Sequence, residues 1–278
     1  MAVKNMRKAV KIGKVAVGGN NPLVMIAGPC VIEGRKICLS LAGQLASLAR
    51  KEKIPFIFKA SYDKANRSSI KSYRGLGMAK GLEVLAEIKE KYGVPVLTDV
   101  HSVAEVGPVA AVVDVIQIPA FLCRQTDLVV AAGESGKPVN VKKGQFLAPW
   151  DVWHIVEKIA STGNQKILVT ERGTSFGYNN LVADMRSLLV LKEMGYPVVF
   201  DATHSVQKPG GAGSRSSGDS RWAPALARAA VATGCDAVFL ETHVTPEKAL
   251  SDPDNAIPLS GVAGLWRVLR NIDNEVFD

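Results

Sequence analysis

Eight short apolar, β-branched runs recur along the chain, separated by longer stretches of helical period, and this alternation limits the fold more than any other feature. The runs are Leu23–Gly28, Ile54–Ala60, Pro95–Val100, Val115–Pro119, Pro138–Lys142, Ile167–Arg172, Pro197–Thr203 and Ala237–Thr242. Between them, Ile37–Lys53, Gly77–Lys91, Leu181–Met194 and Leu259–Ile272 space their apolar residues three and four apart, as helices do. Gly93-Val94-Pro95 and Gly195-Tyr196-Pro197 are stop signals, each followed by a strand. Strands alternating with crossover helices imply a parallel sheet. Eight such units in about 250 residues fit a closed (β/α)8 TIM barrel, an α/β fold. The competing architecture is an open doubly wound sheet. Its GxGxxG turn after the first strand is missing, and Gly210-Gly211-Ala212-Gly213 lies in a long loop after the seventh.

Ahead of the barrel, Val10–Ile12 and Val15–Val17, separated by Gly13-Lys14, read as a short β-hairpin. Residues 1–278 are therefore expected to form a single barrel domain, with 1–22 as a hairpin extension. The net charge is +8, from 34 Lys and Arg against 26 Asp and Glu. Five of those charges, Lys4, Arg7, Lys8, Lys11 and Lys14, precede the first acid, Glu33. No dense basic stripe with interleaved aromatics follows, so nucleic acid is not expected as a partner. Val15–Ile32 carries no charge over 18 residues, but Gly18-Gly19-Asn20-Asn21-Pro22 interrupts it, which argues against a membrane span. The start has neither the Arg/Ser richness of a transit peptide nor a secretory apolar core. Cys30, Cys38, Cys123 and Cys235 show no CxxC spacing, so they are read as reduced thiols in a cytoplasmic protein.

In such barrels the catalytic groups sit at the C-terminal ends of the strands. Here those ends supply Cys30; Lys59, then Lys64, Asn66 and Arg67; Asp99 and His101; Gln117; Lys142; Arg172; Asp201 and His204; and Glu241 and His243. The strand starts are mostly Pro, Ile, Val and Ala. Lys59, Lys64, Arg67, Lys142 and Arg172 would converge on one mouth, opposed by few acids, as a site for phosphate or carboxylate. Cys30, His204 and Glu241 come from strands that a closed barrel makes neighbours. Thiolate, imidazole and carboxylate suit a borderline divalent cation, and Asp252 in the loop after strand eight is a candidate fourth ligand. Cys38 and Cys235 read as packing residues, and His154 as a helix-surface or packing histidine. The Gly- and Ser-rich segment 207–222 is expected to be a lid over bound substrate.

The run Lys59-Ala60-Ser61-Tyr62-Asp63-Lys64-Ala65-Asn66-Arg67-Ser68-Ser69 resembles the substrate loop of the 3-deoxy-D-manno-octulosonate 8-phosphate synthases. Ala27-Gly28-Pro29-Cys30, Thr98-Asp99-Val100-His101, Gln117-Ile118-Pro119-Ala120-Phe121-Leu122, Val139-Asn140-Val141-Lys142-Lys143-Gly144-Gln145 and Asp201-Ala202-Thr203-His204-Ser205-Val206-Gln207 are similar to that family too. The resemblance covers roughly Leu23 to Ile272 and implies a transferase. It would condense phosphoenolpyruvate with D-arabinose 5-phosphate and water, releasing phosphate, for lipopolysaccharide biosynthesis. It also implies a cytoplasmic homotetramer. By the resemblance, Lys59, Lys142 and Arg172 bind phosphoenolpyruvate, with Ser61, Lys64 and Gln117 nearby. Asn66, Arg67 and Ser68 hold the sugar phosphate, and Arg124 reaches it in a neighbouring subunit. Cys30, where a metal-independent branch has Asn, implies one divalent metal ion per subunit (Zn, Fe, Mn or Co). Its other ligands would be His204, Glu241 and Asp252, or Asp254 from the same loop. Asp99, His101 and Glu241 are candidates for proton transfer, in no order.

Two other activities compete. The related 3-deoxy-D-arabino-heptulosonate 7-phosphate synthases use erythrose 4-phosphate, but carry a Lys-Pro-Arg-Thr-type loop where this chain has Lys64-Ala65-Asn66-Arg67-Ser68-Ser69. A Schiff-base aldolase would use Lys59 or Lys142 as a covalent nucleophile.

Overall fold

Prolines 55, 95, 138 and 197 each stand just before a barrel strand, and each hands its carbonyl to the neighbouring strand. Met25, Phe58, Ile116 and Val169 donate their N–H groups to these four carbonyls. A proline has no N–H of its own to give, so the ladder begins one residue later than the apolar runs suggested. The computed structural model describes residues 8–213 and 216–277. Lys4 and Arg7 of the basic start, and Ser214 and Arg215 of the expected lid, lie outside the described residues.

Eight parallel strands follow in chain order: Val24–Gly28, Phe56–Lys59, Val96–Asp99, Val115–Ile118, Val139–Lys142, Ile167–Glu171, Val198–Asp201 and Ala237–His243. The seventh pairs with the eighth, Asp201 opposite Phe239, and the eighth with the first, Glu241 opposite Gly28, which closes the barrel. The expected (β/α)8 architecture is thus the observed one, and the hairpin is present, with Val10 opposite Val17. The first two strands approach so closely that a Cβ on Gly28 would lie 1.9 Å from the Lys59 carbonyl oxygen. Only glycine allows that approach, and it brings the Cys30 turn against Lys59.

The long helices Arg35–Glu52, Met78–Tyr92 and Leu259–Phe277 cover the outside with five shorter ones. Gly93 ends the second of these in the left-handed conformation, at φ 65°. The expected helix Leu181–Met194 is shorter than its apolar pattern implies. Leu181–Val182 instead pairs antiparallel with Thr174–Ser175. The helix begins at Met185, after Asp184 accepts the Arg186 N–H at its N-terminus. The last helix runs beyond Ile272, to Phe277.

Strand side chains alternate between two layers. Phe56, Phe58, Ile116, Ile118, Val198 and Phe200 face the helices in the outer core. Ile57, Leu97, Val115, Leu168, Val199 and Phe239 face inward and pack with Val10, Ile12, Val15 and Val17 of the hairpin, which plugs the N-terminal end of the barrel. The next inward positions, two residues further along each strand, are no longer apolar. They are Lys59, Asp99, Gln117, Thr170, Asp201 and Glu241, joined by Lys142 two residues after Asn140. Between the two levels, Thr170 donates to Asn140 at 2.6 Å, and Asn140 donates to Gln117 at 3.1 Å.

Candidate active site

The C-terminal mouth opens into a cavity of about 430 Å³. Lys59, Lys64, Asn66, Arg67, Ser68, Asp99, His101, Gln117, Lys142, Arg172, His204 and Asp252 all line it. The mouth is less one-sided than the strand ends suggested. The sequence reading set five cations against few acids, but Asp99, Asp201, Glu241 and Asp252 share the same space. The reason is the strand period, which turns the acidic strand ends inward beside the basic ones.

Asp201 is the acid at the centre, fully buried, and it pairs with both Lys142 Nζ and His204 Nδ1, the latter at 2.7 Å. Burial alone would raise its carboxyl, yet His204 and Lys142 hold it well below the usual carboxylate range. Burial also pushes the Lys142 ammonium down to about 8, against the pull of Asp201. The Phe239 ring lies beneath Lys142, its centroid 3.4 Å from Nζ. Arg172 donates to Gln207 at 2.8 Å, while its Nη1 is buried without a hydrogen-bond partner. Arg67 Nη2 is likewise buried and unmatched, although its Nε donates to the Tyr73 carbonyl at 2.9 Å. Two guanidinium groups thus keep an unspent donor, and an unpaired buried donor calls for an anion.

Strands one and eight, with the loop after the latter, bring Cys30, Glu241 and Asp252 together, their ligand atoms all within 4.8 Å of one another. Asp252 Oδ2 lies 3.3 Å from Cys30 Sγ. His204 joins them through Nε2, 3.4 Å from Glu241 Oε1. Its Nδ1 is fixed by Asp201, the outer carboxylate that typically orients a metal-binding imidazole. Neither Glu241 oxygen has a hydrogen-bond partner, though both are buried. Lys59 and Lys64 stand 3.7 and 3.9 Å from Oε1. Burial tends to neutralise this carboxylate, but His204, Lys64 and Lys59 outweigh that and keep it ionised. Burial, then the Glu241 charge, pushes the Cys30 thiol well up. A buried carboxylate with no hydrogen bond, beside a thiol that a cation would deprotonate, is a donor set that fits a divalent metal. Asp252 reaches the cluster in a left-handed conformation, φ 46°, which the short Asp side chain tolerates.

A third group flanks the pocket. Lys59 donates to Ser61 at 2.9 Å, and Ser61 donates to Asp99 at 2.6 Å. His101 Nε2 lies 3.2 Å from the other Asp99 oxygen.

One expected residue stays outside. Arg124 is exposed and does not line the cavity of its own chain. Cys38, Cys123 and Cys235 are buried and free, and His154 is an exposed helix residue beside Glu157. Sequence reasoning missed Asp201 as a site residue. It stood among the strand ends, but its pairing with Lys142 depends on strands five and seven reaching past the strand between them, while His204 lies only three residues further along the chain. The lid segment contributes Gln207, Pro209, Gly210 and Ser216 to the cavity wall, pinned by pairing of Gln207–Lys208 with Ser217–Gly218.

A closed parallel barrel whose C-terminal mouth holds buried cations, carboxylates and a thiol defines an enzyme that handles anionic substrates. The model of the DAHP synthetase I family matches residues 2–276. The 2-dehydro-3-deoxyphosphooctonate aldolase of Geotalea uraniireducens is 58% identical over 268 residues, covering 96% of this chain and 98% of the relative. Those of Geotalea daltonii and Geobacter metallireducens are 56% identical with the same coverage. This chain belongs to the DAHP synthetase I family and, within it, to the 2-dehydro-3-deoxyphosphooctonate aldolases, as the motif resemblance implied.

Proposed function

We propose that this enzyme condenses phosphoenolpyruvate with D-arabinose 5-phosphate and water, giving 3-deoxy-D-manno-octulosonate 8-phosphate and phosphate. The observation that carries this reading is the pair of unmatched guanidinium donors, on Arg172 and Arg67, at two places in one cavity. Two separate anionic groups would satisfy them. Arg172, with Lys142 and Lys59, suits the carboxylate and phosphate of phosphoenolpyruvate. Arg67, with Asn66 and Ser68 on the rim, suits the sugar phosphate. Holding both substrates turns a bimolecular encounter into a positioned one, with the enol carbon facing the aldehyde. The new bond joins that carbon to the aldehyde carbon, and water adds to the former enol ether carbon. Cleavage of the carbon–oxygen bond of the resulting hemiketal phosphate ester then leaves the ketone and expels phosphate, whose charge Lys59, Lys142 and Arg172 would stabilise. Asp99, His101 and Glu241 would move the protons at the aldehyde oxygen and the water.

Cys30, His204, Glu241 and Asp252 would hold one divalent cation per subunit, Zn, Fe, Mn or Co. When bound it supplies a Lewis acid beside the aldehyde and the water. Exposure of Arg124 outside its own cavity is what a reach into a neighbouring subunit of a homotetramer would need. No helix among the described residues is long and apolar enough to cross a membrane, which is compatible with a cytoplasmic enzyme of lipopolysaccharide biosynthesis.

One assay tests the reading: phosphate release from phosphoenolpyruvate with arabinose 5-phosphate or erythrose 4-phosphate, with and without chelator. Release is expected with arabinose 5-phosphate, lost to chelator and restored by a divalent metal. Equal or faster release with erythrose 4-phosphate would overturn the substrate assignment. Undiminished turnover by verified metal-free enzyme would overturn the metal.

A further inference from the structure

The His101 ring lies between two carboxylates that come from different elements. Nε2 faces Asp99 Oδ2 at 3.2 Å, at the end of strand three, and Nδ1 faces Glu105 Oε2 at 3.3 Å, in the first turn of helix Val103–Val112. The Nδ1 contact is a close approach without hydrogen-bond alignment. A neutral imidazole has a lone pair on one nitrogen, and either orientation would turn it toward a carboxylate oxygen. Only the doubly protonated ring sets positive charge, and no lone pair, against both carboxylates. Glu105 is itself held in place. Its Oε2 accepts the His101 backbone N–H at 2.7 Å and the Tyr62 hydroxyl at 2.5 Å. The Tyr62 ring meets the imidazole edge to face, centroids 5.6 Å apart.

We propose that Glu105 is a positioning residue for the condensation, holding His101 as a cation against Asp99. This rests on the function proposed above, because its effect passes to the substrate site. The contacts run from Glu105 through His101, Asp99 and Ser61 to Lys59. With His101 charged, Asp99 stays an ionised acceptor, Ser61 has one orientation, and the Lys59 ammonium is directed into the cavity. With His101 neutral, the row loses its alternation of charge. Other charged groups face this ring as well. Asp63 in the loop after strand two adds negative charge, shared with Arg74, while Lys59 and Lys64 act on Asp99 from the cavity side. Burial opposes the imidazolium, yet Asp99 and Glu105 raise its proton affinity overall. Glu105 is not among the residues carried by the motif resemblance. Four positions beyond His101, it reads on sequence alone as an ordinary helix-start carboxylate.

The test is the charge of His101 in the metal-loaded enzyme without substrates. Imidazole nitrogen shifts are followed by NMR against pH, and the chain's four histidines make assignment tractable, with His101→Gln marking the signals. In the wild type His101 is expected to titrate above the ordinary histidine range. Glu105→Gln should lower the midpoint by about one pH unit. Tyr62→Phe, which keeps the carboxylate, should not lower it. In turnover, Glu105→Gln should bring the alkaline fall of kcat to lower pH by the same amount. It should match the wild type at acid pH, and its KM for phosphoenolpyruvate should rise above the lowered midpoint, because the row ends at Lys59. A neutral His101 at pH 7 in the wild type overturns the proposal. So does an unmoved midpoint in Glu105→Gln, or an equal fall in Tyr62→Phe, which would mark a packing effect. The titration needs no substrate, so its outcome is separate from that of the phosphate-release assay.

Discussion

The two halves of the barrel interior are built on the same eight strands and could hardly differ more. Below Phe239 the inward side chains are aliphatic and the hairpin seals the end. Above it, two residues further along most of the strands, they are charged or polar and face a cavity. The lower half needs no particular partner for any one side chain, because apolar burial is non-directional. The upper half works only if each charge meets its counterpart, as Lys142 and His204 meet Asp201. Shape and burial maintain the first half, pairing the second, so the halves should fail in different ways.

The largest separation is expected from Glu241→Gln. It removes a charged donor from the Cys30, His204 and Asp252 cluster while keeping its size. Metal content per subunit and turnover should both fall by at least about a hundredfold, with the secondary structure retained on circular dichroism. The lower-half counterpart is Ile12→Ala, at a position 1% exposed in the plug. Chemical denaturation should show a loss of about 2–5 kcal/mol, with kcat unchanged at moderate temperature. An equal loss of kcat would break the division between the halves.

A smaller effect sharpens it. Lys142 gives up its proton near pH 8, against an ordinary 10.5. If charged Lys142 holds phosphoenolpyruvate as proposed, KM for that substrate should be flat below about pH 8 and rise toward about tenfold per unit above it. The sign for stability is opposite. The cost of burying the ammonium is fully present below about 8 and is relieved as pH rises toward 10.5, where the unfolded chain also loses the proton. The smallest effect belongs to neither half. His154→Ala, on the outer surface, should change stability by less than about 0.5 kcal/mol and leave kinetics unaltered.

The barrel was legible because its strands are punctuated, by prolines before them and polar groups after them. The mouth was legible residue by residue, since a strand end names its own side chain. Relations between strands were not. The Asp201–Lys142 pair joins strands five and seven past the strand between them, which no local pattern records. The hairpin was expected as a hairpin, but its place beneath the barrel follows from which apolar faces remain to be covered. Two candidate carboxylates, Asp252 and Asp254, stood in one loop, and the left-handed turn at Asp252 brings its side chain to Cys30. Leu181–Val182 misled because apolar residues at a helix start look the same when they pair as a strand.

Phe239 sits at the boundary between the two halves. Its ring lies under Lys142, 5.6 Å from the Lys59 ammonium and 5.9 Å from the His204 ring centre. In electrical terms it is an insulator. Water can approach the cations from the mouth but not from the hairpin side, so their field is screened on one face only and points toward the substrates. The hairpin, far from any reacting atom, is then the seal on that insulation. Deleting it would wet the floor of the site and weaken every charge interaction above it at once.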